Sequence, residues 1–249
     1  MKLLLIVAHP DDETFGCGSV LAHAAEAGVE SVVICATRGE LGEVSGTLPA
    51  GQDRSAPIEP DRLGEIRESE LRAATALLGV ATVDVLGWRD SGVDGDPAPD
   101  SLAAAATGEV AAALAARIDE IEPDIVIVPD GNDGHRDHVA MCKATLCALT
   151  MTSWRPARTY LWCIPRSLLS EYAGVAEIGT PDEAITTVVD TSRHLERRWA
   201  AMRAHATQRP PFDDMPADLQ RRFLDADHFI RVDPRFVDET VESDWIPGA

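Results

Sequence analysis

Basic residues are scarce in this chain. Lys and Arg number 22 against 42 Asp and Glu, which leaves a net charge of −20. A surface of that sign repels phosphate, which argues against DNA, RNA or an anionic bilayer as the main partner. The acidity itself is read as solubility. Long apolar runs are missing too, and no stretch approaches the ~20 residues of a membrane span. The apolar start after Lys2 stops at His9, shorter than a signal-peptide core, so no leader and no stable membrane anchor are expected. The five cysteines (Cys17, Cys35, Cys142, Cys147 and Cys163) form no CxxC and lie in or beside apolar segments. That argues against a zinc ribbon and a disulfide framework, and suits buried thiols in a reducing compartment. No P-loop or GxGxxG follows the first apolar run. A cytoplasmic protein acting on a small molecule is the expectation, with homo-oligomerisation left open.

What is present is enough apolar material, 45% of 249 residues, for one large α/β domain. Short apolar runs bounded by turn residues predict buried strands at 2–8, 31–37, 83–86, 124–129 and 159–164, with a further, edge strand at 185–189. Between them, helical spacing predicts helices over 18–27, 65–78, 101–121, 137–152 and 192–207, with Gly28 and Gly79 as stops and Pro123 as a block. Strand and helix alternate, so a Rossmann-like, mostly parallel sheet with helices on both faces is expected, as a single domain spanning 1–249. Residues 44–64 are rich in Gly, Pro, Ser and Asp and read as a lid over the catalytic edge. Residues 208–249 read as an irregular C-terminal cap.

Two clusters carry the chemistry. His9-Pro10-Asp11-Asp12-Glu13 leaves the first strand, and His135-Arg136-Asp137-His138 follows the fourth. Ligands of open parallel sheets bind beyond the carboxyl ends of the strands, which is where both clusters fall. His9 and Asp12 are three residues apart in a turn restricted by Pro10, and His135 and His138 are three apart on one helical face. Imidazole and carboxylate donors suit zinc or another first-row divalent ion such as Fe2+. Either cluster alone would pass for a turn or a helix cap. Two at successive strand exits indicate a catalytic metal site with ligands to spare, and hence a hydrolase.

The string Ala8-His9-Pro10-Asp11-Asp12-Glu13 with His135-x-Asp137-His138 resembles the LmbE-like (PIG-L) zinc deacetylases, which act on N-acetylglucosaminyl conjugates. Supporting stretches are Thr37–Glu43, Arg67 with Glu70-Leu71, Leu86–Gly92 and His205-Ala206-Thr207-Gln208. The resemblance implies His9, Asp12 and His138 as zinc ligands, Asp11 as general base, His135 as the group that steadies the oxyanion and Asp137 as a carboxylate supporting the site from behind these groups. It also implies Glu43, Arg67 and Asp90 as sugar-recognising residues. For these three a plainer reading stands alongside: Arg67 pairing with a nearby acid, Glu43 as a surface charge. Two positions depart from the mycothiol-pathway branch. Asp133 stands where its deacetylases have a tyrosine, and Gly16 where its conjugate amidases have a lysine. An ionised aspartate only accepts hydrogen bonds. Asp133 is therefore expected to turn from the oxyanion and accept from a sugar hydroxyl or a neighbouring His or Arg. The activity implied is release of acetate and a free amine from a small N-acetylglucosaminyl conjugate. The alternatives are a mycothiol-conjugate-type amidase and an inactive sugar- or nucleotide-binding module.

Overall fold

The computed structural model of the protein describes residues 1–48, 58–173, 178–235 and 241–244. Strands β1 (Lys2–Val7), β2 (Glu30–Thr37), β3 (Thr82–Trp88), β4 (Ile125–Pro129) and β5 (Arg158–Cys163) pair in parallel. Two more, β6 (Thr187–Asp190) and β7 (Ala226–Asp233), complete a seven-stranded sheet in the order β3-β2-β1-β4-β5-β7-β6. Helices α1 (Asp12–Phe15), α2 (Gly18–Glu26), α3 (Pro60–Leu78), α4 (Thr107–Ile121), α5 (Arg136–Met151), α6 (Arg166–Ala173), α7 (Leu195–Ala204) and α8 (Ala217–Leu224) fill the connections.

Successive residues of β1 point to opposite faces, and both are buried. Leu3, Leu5 and Val7 pack with Val20 and Leu21 of α2, Leu71 and Leu78 of α3 and Ala201 of α7. Leu4 and Ile6 pack with Val110 and Leu114 of α4 and Met141 and Ala144 of α5. The mostly parallel, two-faced sheet read from the sequence is therefore present. The order reverses at β1, with β2 on one side and β4 on the other, and opens the crevice that receives both histidine clusters.

Four differences from the sequence reading have local causes. First, α3 begins at Pro60 rather than 65, because proline at the first helical position suits a helix start. The expected lid thus loses its last turn to α3. Residues 49–57 of it lie outside the described residues, and Gly46 and Thr47 donate to the carbonyls of Thr207 and Ala206. Second, α4 starts at 107, not 101. Leu102 N–H donates to Arg89 O and Ala103 N–H to Ser91 Oγ, so this stretch packs on the loop after β3. Third, the expected helix over 192–207 is a 3-10 turn (Ser192–His194) followed by α7, which ends at Ala204. Thr207 leaves it because both its N–H and its hydroxyl bind the Glu70 carboxylate. Fourth, the stretch expected as an irregular cap supplies α8 and β7, and β7 inserts antiparallel between β5 and β6. Its apolar alternation is broken by buried Asp227, whose charge Arg198 of α7 meets at 3.0 Å.

Arg198 is 1% exposed, and it also donates to the carbonyls of Thr14, Phe15 and Gly16. One side chain thus ties α7, β7 and the loop after α1. Removing one partner of a buried pair leaves an uncompensated charge, at a cost of about 3–5 kcal/mol. Arg198→Ala is expected to lower unfolding free energy in urea by that amount. Glu196→Ala, on the exposed face of α7, should stay within ~0.5 kcal/mol of the parent. Equal behaviour of the two variants would contradict this role for Arg198.

Candidate active site

His9 sits in the turn after β1 and Asp12 opens α1, while His135 caps the start of α5 and His138 lies in its first turn. The sheet register brings these turns together. A ring nitrogen from each of His9, His135 and His138 lies within 4.8 Å of the others. The Asp12 carboxylate stands between two of the rings: Oδ2 is 3.5 Å from His9 Nδ1 and Oδ1 is 3.2 Å from His138 Nε2. The N–H groups of Ala8 and His9 donate to Asp12 Oδ2 and fix its orientation.

On the side away from Asp12, the rings of His9 and His138 each meet a further carboxylate. His9 Nε2 is 3.1 Å from Asp137 Oδ2, and that carboxylate also accepts the Ser91 N–H. His138 Nδ1 binds Asp133 Oδ2, while Asp133 Oδ1 accepts the His135 N–H. Donation from one ring nitrogen to a carboxylate leaves the lone pair of the other directed into the site, the arrangement that orients metal-binding imidazoles. At His138 this nitrogen, Nε2, is buried and makes no well-aligned hydrogen bond among the described residues, its near neighbour being Asp12 Oδ1 at 3.2 Å. A buried orphan nitrogen facing a carboxylate oxygen and a second imidazole fits a divalent cation. His135 differs: its Nδ1 accepts the Asp137 N–H, so its proton is on Nε2. Asp133 accepts from histidines, which is one of the partners expected for it.

Electrostatics follow from this packing. Burial disfavours a proton on His9, but its bonds to Asp12 and Asp137 outweigh burial and raise it to about 9. Burial opposes protonation of His138 too, and Asp12 and Asp133 overcome it, so its affinity for a proton is also raised. His135 is lowered by burial and by the two neighbouring rings, and is neutral at pH 7. Asp12 is held well below the usual carboxylate range, the histidines overriding burial.

Asp11 lies beside this group with a left-handed backbone, φ 112°. Such a conformation costs a non-glycine residue about 1–3 kcal/mol and persists only where its surroundings impose it. Here the Asp11 N–H donates to Glu13 Oε2, and its carbonyl accepts the Thr14 and Phe15 N–H groups. Glu13 is fully buried and bound at 2.7 Å by His205, which is itself raised in pKa by Glu13 against the effect of burial. Burial raises Asp11 to about 6, partly opposed by the Arg67 guanidinium 3.0 Å away.

The three expected sugar-recognising residues fall in different places. Arg67 is buried and donates to Asp11, Pro10 O and Gly39 O, which is the plainer reading of it. Asp90 is buried, lies 3.7 Å from His9 Nε2, and accepts the Leu41 and Gly92 N–H groups. Both line a cavity of about 210 Å3 with His9, Asp11, Asp12, His135 and His138. Glu43 is exposed, and the cavity lining does not include it. Gln208 joins the lining, and Glu13 through the Asp11 N–H, Glu70 through Thr207 and Arg198 through the carbonyls of Thr14, Phe15 and Gly16 brace the site in ways that the motifs alone did not assign.

Residues 4–149 match the family model described as GlcNAc-PI de-N-acetylase, PIG-L. Among curated relatives, the 1D-myo-inositol 2-acetamido-2-deoxy-alpha-D-glucopyranoside deacetylase of Mycobacteroides abscessus is 35% identical, over 99% of this chain and 98% of the relative. Among solved structures, the N,N'-diacetylchitobiose deacetylase of Pyrococcus horikoshii superposes with TM-score 0.67 at 20% identity, covering 92% of this chain and 83% of that one. The 4-carboxy-2-hydroxymuconate hydratase of Pseudomonas putida superposes with TM-score 0.64 at 19% identity, over 96% and 100%. At such identities the likeness is one of fold, and a fold hosts more than one chemistry. The family model covers more than half of the chain and the curated relative nearly all of it: the chain belongs to the PIG-L family of de-N-acetylases.

Proposed function

We propose that the protein is a zinc-dependent hydrolase that removes the N-acetyl group from a small N-acetylglucosaminyl conjugate, releasing acetate and a free amine. The observation that carries this reading is the convergence of the His9 and His138 rings on the Asp12 carboxylate, with His138 Nε2 buried and in no aligned hydrogen bond and Asp11 in the lining of the same cavity. His9, Asp12 and His138 would hold the ion, with another first-row divalent ion such as Fe2+ as the alternative. When bound, it supplies Lewis acidity toward the amide carbonyl and lowers the pKa of water.

The chain's own groups account for the proton movements. Asp11, with a pKa of about 6, is ionised at pH 7 and takes a proton from the attacking water. Arg67 holds its carboxylate in place. As water adds to the carbonyl carbon, charge collects on the former carbonyl oxygen. Neutral His135, with its proton on Nε2, donates to that oxygen. Collapse breaks the C–N bond, and the proton held by Asp11 passes to the nitrogen, so acetate and amine leave. Asp90 faces the cavity beside His9 and accepts a sugar hydroxyl.

The relative's substrate, an acetamido sugar joined to myo-inositol, is the first compound to test. A conjugate amidase that relies on a lysine at position 16 would lack that residue here, and the surroundings of Gly16 leave little room for one. A Cβ on Gly16 would lie 2.7 Å from Asp12 O and 3.3 Å from the Trp162 ring. A binding module without catalysis has no use for the strained Asp11.

Purified protein is expected to bind about one divalent ion per chain, with His9→Ala or His138→Ala strongly weakening it. Asp133→Asn should weaken it about 10–100-fold, since it loosens the orientation of His138. Metal titration followed by elemental analysis checks this, and full retention in all three variants would refute the ligand set. Asp11→Asn should keep the metal while kcat falls by at least ~10²-fold; near-parental turnover would leave Asp11 a spectator.

The pH profile provides a separate check on metal-saturated enzyme. A base works only above its pKa, so kcat/KM should climb as pH rises through that of Asp11, which a bound cation lowers from its metal-free value of about 6. Arg67 lowers that pKa too, so Arg67→Met should displace the acidic limb to higher pH. A limb that stays in place would mean that Arg67 does not set the state of Asp11.

A further inference from the structure

A second cavity, also of about 210 Å3, meets the first at Asp12 and His138. Its walls come from parts of the chain that the hydrolytic chemistry does not use. They are Phe15 of α1, Trp162 of β5, Leu168 of α6, Phe212 and Met215 before α8, and Phe223 on α8. Phe212 and Met215 are buried among Leu168, Met202, Leu219 and Leu224. The aromatic wall is therefore held by a small core of its own and does not depend on a ligand to form.

The charged groups at its edge are already engaged. Arg198 and Asp227 bind each other, and Asp133 is taken by His138 and the His135 N–H, which leaves the ring of His228, its proton affinity lowered by burial, as the further polar side chain of the lining. Few donors or acceptors remain for a hydroxyl-rich group. Size points the same way. On the same measure a water needs ~10–15 Å3, and an apolar cavity of ~150 Å3 accepts benzene. The methyl of an acetyl group cannot account for 210 Å3 of apolar space beside the metal ligands.

Gly16 contributes to the shape. With no side chain there, the Trp162 ring lies against the backbone of the loop after α1, and any Cβ would crowd it. The position at which a cationic side chain would enter is instead the apolar floor.

Resting on the N-deacetylase reading, we propose that the group joined to the amino sugar is apolar, an alkyl or aryl aglycone of about six to eight carbons that fills this second cavity. The polar cavity takes the sugar and its amide, and the aglycone passes Asp12 and His138, where the two cavities meet, into the second. An aglycone of this kind is held by burial of apolar surface, worth about fourfold in affinity per methylene in the ideal case.

The test compares methyl and hexyl glycosides of N-acetylglucosamine as substrates of the metal-loaded enzyme, beside methyl glycosides of N-acetyl- and N-hexanoyl-glucosamine. The hexyl glycoside should exceed the methyl glycoside in kcat/KM at least about thirty-fold, a conservative part of the methylene increment. The N-hexanoyl compound should show no gain. Calorimetry with methyl and hexyl glucosaminides, which carry no amide to cleave, should show the same preference in affinity. In Phe223→Gln, and separately in Leu169→Gln, the hexyl advantage should shrink to within a few-fold while the methyl glycoside is cleaved as before. Both side chains are half-buried on the cavity wall, so two variants guard against loss of folding in one. Equal turnover and equal binding of methyl and hexyl glycosides would overturn the proposal while leaving the deacetylase intact. A gain confined to the N-hexanoyl compound would also overturn it, placing the acyl group in the cavity. If no glycoside is cleaved at all, the deacetylase reading falls, and the binding comparison still decides what the cavity accepts.

Discussion

Five carboxylates, those of Asp11, Asp12, Asp90, Asp133 and Asp137, converge on the edge of the sheet where β1 and β4 end, and the rest of the site is arranged around their repulsion. Like charges in a poorly hydrated place cannot all remain ionised without cations among them. Arg67 meets Asp11, and the rings of His9 and His138 lie between the others. Without a metal, the histidines supply charge by holding protons, which is why both are raised in spite of burial. A divalent ion supplies the same charge at the same place. The carboxylates that stabilise the protonated rings are thus the ones that orient neutral rings as ligands.

Three buried polar ties transmit this requirement outward. Glu13 joins the Asp11 backbone to His205, Glu70 joins α3 to Thr207, and Arg198 joins the loop after α1 to Asp227 on β7. Each runs between the first strand's exit or α3 and the C-terminal third of the chain. That third is consequently part of the site's construction, and it builds the apolar cavity beside the metal ligands. A hydratase that shares the fold makes the same point from outside: the sheet offers a place for chemistry, and the side chains at its edge decide which.

The sheet and the metal cluster could be read from the sequence because both are written locally. Six apolar residues followed by His-Pro-Asp-Asp specify a strand and its exit, and the i,i+3 histidines of α5 follow from helical geometry. What escaped is long-range pairing of charges. An apolar alternation cannot announce β7, since half of its inward face is Asp227, and Arg198 looks like a solvated residue until Asp227 is placed beside it. For Arg67 the sequence left two readings, a sugar contact or a pair with a nearby acid, and could not say that the acid is Asp11. At Asp133 the logic of donors and acceptors was sufficient to foresee a neighbouring donor, although not that the donor would be His138 itself.

The central claim is that a divalent ion replaces protons on His9 and His138. The two rings are protonated in the metal-free protein below their raised pKa values, about 9 for His9, so at pH 7 the ion must displace protons on binding. Calorimetric titration of metal-free protein with zinc, repeated in buffers of different ionisation enthalpy, counts those protons directly. The account predicts saturation at about one ion per chain with at least one proton released, and a smaller release at pH 9 than at pH 7. Binding with no proton exchange at pH 7, or no saturable binding at all, would contradict it.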